Sequence, residues 1–137
     1  MSPGVTRESS RAAPPTSVAI ATGPLVGPVL RRVVGMLAAR ADLPLDRLDD
    51  AILVADLIAA RAPAHVHGDE VRVAFDPGER SLALVVGPLR PGGGQALIVD
   101  AAVPGVGNVI EQLADELTVT QEGEDEFLHV LLAYAAP

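Results

Sequence analysis

Cysteine is missing from all 137 residues, so the chain has no disulfide, no thiolate metal ligand and no cysteine nucleophile. Tryptophan is missing too, and two Phe and one Tyr make up the whole aromatic content. Stacking platforms for single-stranded nucleic acid cannot be built from so few rings, and the core must come from Val, Leu, Ile and Ala. Basic side chains are scarce: ten against eighteen acidic ones give a formal charge of -8. That balance repels a phosphate backbone and removes the counterion release that drives nucleic-acid binding, so nucleic acid is excluded as a partner. No window approaches the ~18 uninterrupted apolar residues of a membrane span, and the opening MSPGVTRESSRAAPPTS lacks the apolar stretch of a signal peptide. The expectation is a soluble, cytoplasmic protein with no membrane partner. No G-x-S-x-G occurs, so hydrolase chemistry of the nucleophile-elbow kind has no support.

The length suits one domain. Residues 1–15 are polar and end in Pro14-Pro15, with too little apolar surface to offset the entropy of ordering them, which predicts a disordered tail before a single domain over 16–137. Ser17 to Ala21 alternates as a short strand closed by Gly23-Pro24. Between Gly27 and Ala41, Leu30, Val33, Val34 and Leu37 form an apolar stripe, with Pro28 in the first turn and Arg31, Arg32 and Arg40 facing water. Asp46 is the expected N-cap of a second helix, whose face is Leu48, Ile52, Ala55, Ile58 or Ala59, and Ala62, and which Pro63 stops. Val71, Val73 and Phe75, a DPGE turn, and Leu82, Leu84 and Val86 read as a hairpin. PLRPGGG, from Pro88 to Gly94, reads as a flexible connection.

Pro104 to Val119, PGVGNVIEQLADELTV, is the densest signal. Gly105 and Gly107 allow positive φ and close ligand approach just where a helix would expose unpaired N–H groups, which makes them phosphate-loop candidates. Val109, Ile110, Leu113 and Leu117 fall at helical spacing, with Glu111, Gln112, Asp115 and Glu116 on the opposite side, which predicts a packed helix after the turn. Two strands follow, near Leu117 to Gln121 and Glu126 to Tyr134, joined by an acidic EGED turn. The order β-α-α-β-β-α-β-β predicts an α+β, two-layer sandwich: a mixed, mostly antiparallel sheet with three helices on one face.

This element order, with a DxLxxD-type start to the second helix and the G-x-G turn before the third, resembles the histidine-kinase-like ATPase superfamily, and within it the small anti-sigma-factor serine kinases of bacteria. The resemblance covers about residues 16 to 135. It implies that an E-A-x-x-N-A pattern on the second helix supplies a catalytic Glu and a magnesium-binding Asn. The matching run here is Asp56-Leu57-Ile58-Ala59-Ala60-Arg61, so Asp56 stands for the base and Ala60 replaces the magnesium ligand. An alanine methyl cannot ligate Mg²⁺, which takes oxygen donors. Where the family's D-x-G-x-G box reads adenine, this chain has Gly87-Pro88-Leu89-Arg90-Pro91, and the segment matching the ATP lid, about Gln95 to Val103, is short and apolar.

With these departures the resemblance implies a degenerate member: a non-catalytic interaction module with no cofactor, acting in transcription control. Its partners would be a sigma factor, an anti-anti-sigma domain of the STAS type, or a second copy docked through about Ser17 to Ala41. The alternatives are a functioning serine kinase, in which Asp56 is the base and ATP and Mg²⁺ bind, and a sensor that takes an apolar molecule in a cavity lined by Ala55, Ala59, Val86 and Ile98. His65, His67 and His129 are the only imidazoles, and no carboxylate pattern completes a metal set around them. Arg90 beside the GGG run is a candidate anion contact, and Glu122 to Glu126 a candidate docking patch for a basic partner.

Overall fold

The computed structural model describes residues 16–134, so the expected N-terminal tail lies outside the described residues. Strand β1 (Thr16–Ala21) leads into helices α1 (Val26–Arg40) and α2 (Leu45–Arg61), and a 3-10 turn at Ala62–Ala64 follows. The hairpin β2 (Glu70–Gly78) and β3 (Ser81–Leu89) comes next, then α3 (Gly93–Asp100) and the two-residue strands β4 (Ala102–Val103) and β5 (Gly107–Asn108). Helix α4 (Val109–Leu113) and the hairpin β6 (Glu116–Glu122) and β7 (Asp125–Ala133) complete the described chain. The main sheet has five strands in the order β1-β2-β3-β7-β6. The architecture is α+β as expected, but the sheet is not mixed: each of its pairings is antiparallel, because the excursion through α3 and α4 brings the chain back as a hairpin whose β7 runs opposite to β3.

Period-two patterning places Val71, Val73 and Phe75 of β2, Leu82, Leu84 and Val86 of β3, and Leu128, Val130 and Leu132 of β7 on one buried face. Val26, Leu30, Val34 and Leu37 of α1 and Ala51, Val54, Ala55 and Ile58 of α2 recur every three or four residues and join that face in one core cluster. Leu97 and Ile98 of α3 and Ile110 of α4 belong to the same cluster.

Several boundaries differ from the sequence expectation. Helix α2 begins at Leu45 with Pro44 as its N-cap, and the Pro44 carbonyl accepts the Leu48 N–H at 2.9 Å; Asp46 sits inside the first turn instead of capping it. The β2–β3 turn lies at Glu79-Arg80, since Pro77 is buried in register with Leu82 and Arg80 takes the left-handed conformation at φ +62°. Helix α3 replaces the expected loop and lid, giving four helices among the described residues instead of three. Helix α4 ends at Leu113, and Leu117 is a β6 residue paired with Val130. Ladder bonding overrides helical spacing here: Ala114 is extended, and the Asp115 N–H donates to the Leu131 carbonyl at 2.8 Å.

Candidate functional site

Asp56 lies on α2, where the stripe of Ala51, Val54, Ala55 and Ile58 turns inward and leaves position 56 at the helix flank. Its Oδ2 is 3.2 Å from the Arg31 guanidinium of α1, an ion pair between partly exposed side chains. Four residues on, Ala60 presents only an exposed methyl group. Nothing in the spacing of α1 announced Arg31 as the partner of Asp56; the pairing comes from how the two helices pack.

Gly105 and Gly107 have the positive φ values the turn demands, +81° and +98°. The loop closes on itself through β4–β5: Val106 N–H donates to the Val103 carbonyl at 2.9 Å, and the Gln112 side-chain amide donates to the Val106 carbonyl at 3.0 Å. The Asn108 side chain accepts the Glu111 N–H at 3.4 Å and so caps α4, a helix of five residues. Asp56 and the glycine pair are thus bonded within their own neighbourhoods, Asp56 to α1 and the Gly107 turn to Gln112.

Gly87 to Pro91 is stitched to the exit of α2. His67 N–H donates to the Pro88 carbonyl at 2.8 Å, Arg90 N–H to the His65 carbonyl at 2.9 Å, and the Arg90 guanidinium to the Ala64 carbonyl. Leu89 between them is fully buried. Arg90 borders a cleft of about 260 Å³ with His65, Gly92 and Ala96, smaller than the ~300 Å³ at which pockets for small organic ligands begin. Of the four residues expected to line an emptied nucleotide cavity, Ala55, Val86 and Ile98 are core residues and Ala59 packs against them.

The acids from Glu122 to Glu126 divide. Glu126 reaches from β7 to the start of α3, where its two oxygens accept the N–H groups of Gly92 at 2.8 Å and Gly94 at 3.0 Å. Those two bonds favour the carboxylate and hold its pKa below the ordinary 4.5. Asp125 accepts from His67 at 2.8 Å. His65 pairs with Asp100 at 3.0 Å and His129 with Thr120 at 2.8 Å, so the three imidazoles serve three different partners. Among the described residues, no group of three or more His, Asp or Glu side chains is placed to hold a metal ion. None of the helices in the described residues is long and apolar enough to cross a membrane. No protein-family model matches the chain, and no curated protein is similar enough to count as a match.

Proposed function

We propose that this chain is a regulatory protein-interaction module of the anti-sigma type, working in the cytoplasm through a sigma factor or a STAS-type domain, without phosphoryl transfer. The observation that carries the reading is the packing of Val86, Leu89 and Ile98 into the core at positions the resemblance assigns to the nucleotide pocket. Support comes also from Asp56, whose carboxylate is engaged by Arg31, and from Ala60, which has no oxygen to offer Mg²⁺. The residues present do not suit a Mg-nucleotide, and no catalytic step is assigned to them. For a protein partner, α1 and α2 and their approaches display Leu25, Met36, Leu45 and Leu53, large apolar side chains exposed to solvent.

Calorimetric titration with Mg-ATP and Mg-ADP is the test. The expected result is no binding tighter than ~1 mM, a standard free energy of about -4 kcal/mol. Tighter binding would overturn the reading, and a kinase assay with an Asp56→Asn control would then test the serine-kinase alternative.

A further inference from the structure

At the end of β3 away from Leu89, the α1–α2 connection and the β2–β3 turn stand on either side of a cleft of about 830 Å³, within the ~300 to 1,000 Å³ typical of small-molecule sites. Tyr134, which follows β7, joins the two walls: its N–H donates to the Arg80 carbonyl at 3.0 Å and its hydroxyl donates to the Ala41 carbonyl. The half-buried Tyr134 and Leu43, with Pro44, give the cleft an apolar lining. Two guanidinium groups border that lining, Arg40 from the last turn of α1 and Arg80 from the β2–β3 turn. Among the described residues neither has an acidic partner, whereas Arg31, Arg47 and Arg72 each have a carboxylate within 4.0 Å. Arg80 also occupies a position for which its backbone is poorly suited. Its φ of +62° is one that tight hairpins usually give to glycine or asparagine. Asp42, the other described non-glycine residue with positive φ, borders the same cleft at +60°.

The geometry points to this cleft as a binding site for a small organic acid: the carboxylate is held between Arg40 and Arg80, and an apolar body rests on Tyr134 and Leu43. An apolar lining with a few converging polar groups is the usual make-up of a small-molecule site. A guanidinium matches a carboxylate in shape as well as charge, since its parallel N–H groups meet both oxygens. Asp42 and Glu79 border the cleft too, and they set its selectivity. Their charges repel a second negative group, so the site takes a single carboxylate in preference to a polyanion. Glycine at position 80 would relieve the backbone, so the arginine is accounted for by what its side chain holds. The cleft lies beside Ser81 at one end of β3, and the segment compared with a nucleotide pocket lies around Leu89 at the other. The inference therefore stands or falls independently of the nucleotide reading.

Tyr134 is the only tyrosine and the chain has no tryptophan, so the intrinsic tyrosine fluorescence of the full chain reports on this cleft alone. Titration with octanoate tests the site. The expected result is a saturable change in emission with a Kd below ~1 mM. Octylammonium, the same tail with the opposite charge, and citrate, a polyanion, are expected to leave the emission unchanged over that range. Arg40→Gln and Arg80→Gln are each expected to weaken octanoate binding at least ~10-fold, the loss of a charge-assisted contact. Arg72→Gln, which removes an arginine outside the cleft, is expected to leave it within about twofold. Arg40 and Arg80 are exposed, so circular dichroism is expected to show intact folds. Arg80→Gly separates binding from folding: it suits the positive φ, so its melting temperature is expected to be at least that of the wild type while octanoate binding falls as far as in R80Q. No saturable binding below ~1 mM would overturn the proposal. Octylammonium binding as tightly as octanoate, or octanoate binding that neither arginine substitution weakens, would overturn it as well.

Discussion

Arg47 and Asp115 are ion-paired across 68 residues of sequence, tying the first turn of α2 to the start of β6. The same guanidinium donates to the carbonyls of Ala133 at 3.0 Å and Leu113 at 3.2 Å and to Asp50 at 2.9 Å, while Asp115 also accepts the Ala133 N–H at 2.7 Å. The Arg47 side chain is only 16% exposed, in contrast to Arg31 at 62%. Arg47→Ala leaves two carboxylates and two carbonyls without their donor and is expected to cost about 2 to 3 kcal/mol in urea denaturation. Arg31→Ala breaks a solvated pair and is expected to cost under ~1 kcal/mol. Equal losses would refute the ranking.

Two glycines separate close approach from backbone conformation. An alanine at Gly87 would put its Cβ 2.5 Å from the Phe127 ring and 2.9 Å from the Glu126 carbonyl. Overpacking of that kind costs about 2 to 3 kcal/mol, since ring and strand cannot both move aside. At Gly105 a Cβ meets nothing within 4 Å, and only the positive φ of +81° resists it, at about 1 kcal/mol. Thermal melts are expected to show the larger drop for Gly87→Ala; the opposite order would disprove the assignment of steric contact to one site and strain to the other.

Glu126 gives the fold an acid-sensitive contact. Its pKa is lowered in the folded state by the Gly92 and Gly94 N–H groups, so the contribution is complete above the ordinary value of 4.5 and fades as pH falls through the folded value. Glu126→Gln cannot accept both bonds with a charged group. Wild type is therefore expected to exceed E126Q in stability near neutral pH, with the gap closing below about pH 4.5. A gap constant down to about pH 3 would show that the carboxylate's charge is not involved.

The local pattern of this chain determined most of its elements. The stripes of Leu30, Val34 and Leu37 and of Ala55 and Ile58 marked the two long helices, Pro63 marked the end of the second, and the alternations through Phe75 and Leu84 marked the central hairpin. These readings succeed because burial on one side of a helix or strand repeats within a few residues. Gly105 and Gly107 were legible for the same reason, since positive φ is a property of the residue itself.

What the sequence left undecided depends on residues far apart along the chain. Leu117 fits a helical stripe, yet the β7 ladder claims it for β6. Gly93 and Gly94 look like loop residues, yet they open α3, with the Glu126 carboxylate on the Gly92 and Gly94 N–H groups and Val119 packed so close that a Cβ at Gly94 would meet it at 2.6 Å. Asp56 reads as a lone helical acid until α1 brings Arg31 to it. In each case the pattern within a few residues does not decide the outcome. The choice falls to ladder hydrogen bonds, carboxylate contacts and packing that exist only once the sheet and helices have assembled.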